Sequence, residues 1–289
     1  MAFNPVTNLF YAAAAVASQV VVMDGTTNTV TTKITVPSGP TGIAINPITN
    51  TVYVVADHVV TVIDGTTNTV SATIPVGTQP FAVAVNPATN KIYVVDTVTT
   101  GTNNVYVIDG TTNTITSALQ IGGAAYEVAV NSITNTLYVA NNTVVAVVDG
   151  VTDKVTTTIP RPPASQVDPV NLPRLVVNEA TNTVFMTNIG ASQAVSVING
   201  GTNTITSTIP VGSEPCRIAE NSLTNTIYVT NCLDNTVSVI NGSTNAVAAT
   251  IPVSAGPTGI AVNPTANLIY VEGGLSLTMI NGATNTVIQ

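Results

Sequence analysis

Two short elements alternate along the chain, and their count dictates its architecture. An N-x-x-x-N element, with an aromatic residue seven positions after its first Asn, starts at Asn4, Asn46, Asn86, Asn131, Asn178, Asn221 and Asn263. A second element, Asp or Asn followed by Gly, starts at Asp24, Asp64, Asp109, Asp149, Asn199, Asn241 and Asn281. Seven copies of each interleave, and the first Asn recurs every 40 to 47 residues. Between them stand runs such as "GIAIN", "TVYVV", "VVTVID" and "TVSATIPV". β-branched residues suit a pleated, half-buried surface and Asn, Gly and Pro interrupt it, so each unit reads as four short strands. No segment carries a helical period. Four antiparallel strands per repeat of this length is the pattern of a propeller blade, whose sheet is covered on both faces by its neighbours. Solenoids compete, but their repeats are shorter or helical. The expected fold is all-β, a single seven-bladed β-propeller with blades near 1–38, 39–78, 79–122, 123–168, 169–212, 213–254 and 255–289.

Composition narrows the partners. Only 7% of the 289 residues are charged, 45% are hydrophobic, and the net charge is -8. Such a chain is too apolar for disorder and too acidic to bind nucleic acid through its phosphates. The most apolar stretch, residues 9 to 23, is broken by Ser18 and Gln19 and is too short to span a bilayer, so it reads as two strands. There is no CxxC or HExxH pattern, and no cofactor is expected beyond a divalent cation in a catalytic alternative. By comparison with the other units, "MAFN" begins inside an inner strand and "NTVIQ" stops short of "TIPV", so the chain is expected to be clipped, with a signal peptide or further repeats outside it.

Spacing separates the two ends of each blade. The step from the first Asn to the aromatic is seven residues in every copy, and from the second element to the outer-strand Ile or Leu it is ten in six copies. These constant segments are turns, and their Asn, Asp and Gly read as turn chemistry. The remaining connections vary. Five blade-to-blade links span nine residues, whereas Ile159 to Leu175 spans sixteen and includes "RPPASQVDP" (161 to 169). The link after Tyr93 carries "DTVTTGTNN" (96 to 104). Loops bear function on rigid scaffolds, so this end, the top, is where a site is expected.

Chemistry-bearing residues gather there. The column before the inner-strand apolar pair runs Gly42, Ala82, Glu127, Arg174, Arg217, Gly259. Arg161 falls at the same end, Phe81 and Tyr126 stand one position earlier and could stack on a ligand, and Asp168 lies in the long link. Solubility and a structural ion pair are the plain alternatives for the charges. Glu220 occupies a column otherwise filled by Phe, Ile or Val and shares the apolar face with Ile218, so it requires a partner, and Arg174 of the neighbouring blade is the expected one. It reads either as a buried structural pair or as a polar floor with a perturbed pKa. His58, the single histidine, follows Asp57 in a top link and reads first as a solvated loop residue. Cys216 and Cys232 have a residue sum of 448 against 447 for the hairpin closed by Asn221 and Thr226. The two thus stand almost opposite, which favours a cross-strand disulfide over two buried thiols and suits an exported protein.

"YVTN" at Tyr228 to Asn231, with "YVAN" at 138 and "FMTN" at 185 followed by "VSVING" and "TIPVG", resembles the YVTN-type seven-bladed propellers of surface-layer and exported proteins, and more distantly the lactonase-type propellers. The resemblance covers the whole chain. It implies the fold and a secreted, periplasmic or cell-surface location, and leaves activity open because such folds host unrelated functions. The leading expectation is a binding or interaction module with a polar pocket at the top of the channel. Its partner would be a small polar ligand or another protein or surface component, bound by Tyr126, Glu127, Arg174, Arg217, Glu220, Phe81 and Arg161. The alternative is a lactonase-like hydrolase or lyase, with Glu127, Glu220, Asp168 or His58 as the acid or base and the arginines holding an anion.

Overall fold

A computed structural model describes residues 1–97, 105–162, 172–188, 193–274 and 276–288. Their strands form seven four-stranded antiparallel meanders, spanning 2–35, 43–75, 80–119, 127–160, 175–210, 215–252 and 257–287. By contacts the chain divides into two compact units, Met1–Asn141 with Ala146–Thr157 and Asn142–Val145 with Thr158–Gln289. Blades 1 to 3 and most of blade 4 lie in the first, and blades 5 to 7 in the second.

The turns show why the repeat is written as it is. In blade 2, Asn46 Oδ1 accepts the backbone N–H of Ile48 at 2.9 Å, and the turn ends on Asn50 in the left-handed region at φ 52°. Asp64 Oδ1 likewise accepts from Thr66 N at 2.8 Å and Thr67 N at 2.9 Å, and Asn68 adopts φ 56°. Short polar side chains mimic a backbone turn and tolerate positive φ, which is the reason for Asn at both closing positions. The glycine after Asp is fixed by approach rather than by φ. Gly25 N donates to Asn8 O at 2.9 Å, and a Cβ on Gly25 would stand 2.8 Å from Asn8 Oδ1.

The first Asn of each element also reaches the next blade. Side-chain amides donate from Asn4 to Asn50 Oδ1, Asn46 to Asn90, and Asn86 to Asn135 in the first unit, each at 2.7 Å. In the second unit Asn178 donates to Asn225 at 2.6 Å and Asn221 to Asn267 at 2.8 Å. The donors are at most 1% exposed. Each relay therefore satisfies buried polar groups on two blades at once, and losing one partner costs about 1–3 kcal/mol.

Apolar cores fill the space between successive blades. Between blades 1 and 2, Tyr11, Val20, Val22 and Ile34 pack against Val52, Val54 and Ile63. Between blades 6 and 7, Tyr228, Val237, Val239 and Ile251 pack against Ile260, Val262, Ile269 and Ile280. The outer-strand Ile is the one fully buried residue of its strand: Ile34, Ile74 and Ile251 are 4 to 6% exposed, whereas Val70 and Val247 are 42% and 38% exposed.

Candidate functional site

At the top, the ladder between the first and second strands slips by one residue. The slip falls at Phe81 between Pro80 and Ala82, at Cys216 between Pro215 and Arg217, and at Thr258 between Pro257 and Gly259. A bulge re-aims the side chains around it, and bulges recur beside binding sites. The residues after the slips, Ala82, Arg217 and Gly259, resume pairing opposite Val95, Thr230 and Glu272.

In the first unit this column holds Gly42, Ala82 and Glu127. Glycine at 42 has a packing reason, since a Cβ there would lie 3.1 Å from Ala82 Cα and from the Phe81 carbonyl. Phe81 packs against the core shared by blades 3 and 4, and its carbonyl accepts the Thr41 hydroxyl at 2.8 Å, which gives the ring a structural role. Tyr126 and Glu127 are half-buried at the start of the first strand of blade 4, where Tyr126 N donates to Ala140 O at 2.9 Å. His58 lies at a hairpin tip in blade 2 at φ 58°, its Nε2 3.1 Å from Asp57 Oδ1, with both side chains more than half exposed. This is the solvated loop position its sequence context suggests.

In the second unit the column continues as Arg174, Arg217 and Gly259. The first strands of blades 5 and 6 are neighbours, so the two arginines occupy equivalent positions side by side. Both are half-buried, and Arg217 Nη1 donates to its own Cys216 O at 2.8 Å. Arg161, at the end of the blade 4 outer strand, also belongs to this unit. Burial lowers its pKa to about 10, which leaves it charged at neutral pH. Glu272, half-buried opposite Gly259, adds a carboxylate to the same end that the sequence reading did not single out. Asp168 and most of the link around it, with 98–104 of the other long link, lie outside the described residues.

Cys216 and Cys232 are joined in a disulfide with Cα atoms 6.0 Å apart. The bridge ties the bulge to the residue just past the second strand, where Cys232 N donates to Glu214 O at 2.9 Å. Both sulfurs pack on the Pro257 carbonyl oxygen of blade 7, at 3.3 and 3.1 Å. The strand that presents Arg217 is thus covalently braced at its top.

Glu220 requires a correction. Arg174 is not its partner. Arg174 aligns with Arg217, three residues and about 10 Å up the strand from Glu220, whose own level in blade 5 is Val177. The face was read correctly, since Ile218 packs into the core of blades 5 and 6. The height was not. Glu220 Oε1 is buried without a hydrogen-bond partner, and desolvation, followed by the nearby Glu179 carboxylate, pushes its pKa up to about 7.

The top end is also supported by a buried polar column that the sequence reading used only as a family signature. Asp96, Asn188 and Asn231 end the second strands of blades 3, 5 and 6, Asn141 directly follows that of blade 4, and all four are 0 to 3% exposed. Asp96 accepts Thr78 N at 2.7 Å and Gln79 N at 3.2 Å, which fixes the link between blades 2 and 3. Asn231 Nδ2 donates to Thr236 and Ser238 hydroxyls, each at 2.9 Å. Among the described residues no three His, Cys, Asp or Glu side chains cluster as metal ligands, and no helix is long and apolar enough to cross a membrane.

No family model and no curated protein matches this sequence. Solved structures do. The chain is similar to Kuenenia stuttgartiensis hydrazine synthase with a TM-score of 0.83 at 15% identity, covering 97% of this chain and 94% of that one. It is also similar to the dihydro-heme d1 dehydrogenase NirN in complex with DHE, with a TM-score of 0.69 at 13% identity over 99% of this chain and 73% of that one. At such identity the likeness defines the fold, a seven-bladed β-propeller of four-stranded antiparallel blades.

Proposed function

We propose that this chain is an exported binding propeller of the YVTN-like kind, and that the top of blades 5 and 6 takes a small anionic ligand. The observation that carries the reading is the pair Arg174 and Arg217, placed at equivalent positions of neighbouring strands in a column that is Gly at 42 and 259 and Ala at 82. Two guanidinium groups so placed offer planar, charge-assisted donors to a carboxylate, sulfate or phosphate. The disulfide beneath Arg217 supports both preorganisation of the strand and an oxidising location. Glu220 stands about 10 Å down the strand from Arg217, so it does not supply an acid or base beside these arginines. The test is a thermal-shift screen of acetate, citrate, sulfate and phosphate, followed by calorimetry on Arg174→Ala and Arg217→Ala. A saturable shift with one anion, weakened roughly 10- to 100-fold in each variant, is expected. Equal stabilisation of wild type and both variants would remove the arginines from the site.

A further inference from the structure

The second-strand residue that faces the top column across the ladder is small or apolar in five blades and charged in one. From blade 2 to blade 7 it reads Val55, Val95, Ala140, Thr187, Thr230 and Glu272. The first five are 0% exposed, whereas Glu272 is half-buried. Its cross-strand partner is Gly259, where a Cβ would stand 2.7 Å from Glu272 Oε2 and 3.0 Å from Glu272 Cβ. The glutamate side chain therefore lies along the place that a column side chain would fill. Among the described residues Glu272 makes no ion pair.

Two departures from the repeat thus coincide in one cross-strand pair, and they change the charge pattern of the column. Arg174, Arg217 and Gly259 hold equivalent positions of the first strands of blades 5, 6 and 7, and successive first strands come within 8 Å of one another. Glycine at 259 contributes no side chain of its own to the column beside Arg217, and the Glu272 carboxylate takes that place. The sequence of charges is two positive groups and then a negative one. A purely anionic ligand gains from the arginines but is repelled by Glu272. A ligand that carries a carboxylate and an ammonium meets opposite charge at both ends, and such a difference in affinity is what specificity consists of.

We propose that the ligand at the top of blades 5 to 7 is a small zwitterion, an amino acid, whose carboxylate is held by Arg174 and Arg217 and whose ammonium is held by Glu272. The proposal rests on the anion-site reading above and names the class of molecule that the site selects. Glu272 is the residue that sets the selection, because the arginines alone accept any carboxylate.

Calorimetry on the purified chain compares glycine, β-alanine and γ-aminobutyrate with acetate, propionate and butyrate, which have the same carbon chains without the ammonium. At least one amino acid is expected to bind roughly tenfold or more tightly than its counterpart. Glu272→Gln, of nearly the same shape, is expected to erase that advantage while binding the plain carboxylate at least as well as wild type does. Arg217→Ala is expected to weaken both members of the pair. Equal binding of amino acid and counterpart by wild type, or an advantage that survives in Glu272→Gln, overturns the zwitterion and leaves the anion site standing. The wild-type comparison decides the matter even if a variant fails to fold. Absence of arginine-dependent binding in both series overturns the anion-site reading and the zwitterion with it.

Discussion

The side-chain amide of Asn46 donates to Asn90 Oδ1 at 2.7 Å, so a turn residue of blade 2 is completed by a turn residue of blade 3. Asn46 is 0% exposed and also holds its own turn through Ile48 N. Asn46→Ala strands both partners in a buried setting. A loss of about 1–3 kcal/mol is expected in urea unfolding. Asn90, at φ 53°, adds a backbone requirement. Asn90→Gly is therefore expected to cost less than Asn90→Ala, because glycine accepts the left-handed region without penalty.

The disulfide closes a loop with a sequence separation of 16. Cross-linking a loop of this size stabilises a fold by about 3 kcal/mol through the unfolded chain. Cys216→Ser with Cys232→Ser is expected to lower the unfolding free energy by roughly that amount. If Arg217 binds an anion as proposed, the double variant also weakens that binding while Arg174 remains in place, which calorimetry at a temperature well below the midpoint separates from stability.

Glu220 titrates against the fold. Its pKa in the folded chain, about 7, lies above the ordinary carboxyl value. Its contribution is fully present below the unfolded pKa and is lost as pH rises through 7, because ionisation leaves a desolvated carboxylate beside Glu179. The four turn aspartates Asp24, Asp64, Asp109 and Asp149 act in the opposite sense. Backbone N–H donors hold their pKa values below normal, so their contribution is lost as pH falls through that lower range. Stability should therefore peak on the acid side of neutrality. Glu220→Gln should remove the decline between pH 5 and 8, a gain on the order of 1–3 kcal/mol at pH 8, with little change at pH 4. Denaturation curves at the three pH values check the sign.

Arg174→Ala should cost the same stability in the wild-type and Glu220→Gln backgrounds, because Glu220 is not its partner, and urea unfolding of the two single variants and the double variant checks this. The sequence reading, which paired Arg174 with Glu220, implied the opposite. A large loss in Arg174→Ala that disappears in the Glu220→Gln background would restore the pair.

What the sequence disclosed followed from local rules. Strand number, sheet order and turn positions follow from spacings of seven and ten residues, and Glu220's face follows from alternation along one strand. The near-opposition of Cys216 and Cys232 came from counting across one hairpin. What it concealed depends on partners 44 to 49 residues away or on slips of a single residue. The Asn relays join donors and acceptors in different repeats, and a repeated Asn looks like turn chemistry whether or not a neighbour uses it. The bulges at Phe81, Cys216 and Thr258 shift the top of the ladder by one position, which no composition rule announces. Glu220's height against blade 5 required the alignment of two strands.

The N-x-x-x-N element has a further consequence for how such a chain can grow. In Asn46 and Asn50 one turn carries the donor that enters the following blade and the acceptor that receives Asn4 from the preceding one. A duplicated stretch of sequence thus arrives with its own plug and its own socket. Within a unit it can be spliced between existing copies without a compensating change in this relay, because the five relays there use the same two asparagines. Adding a copy inside a unit therefore repeats a contact that the chain already makes and requires no new one of this kind.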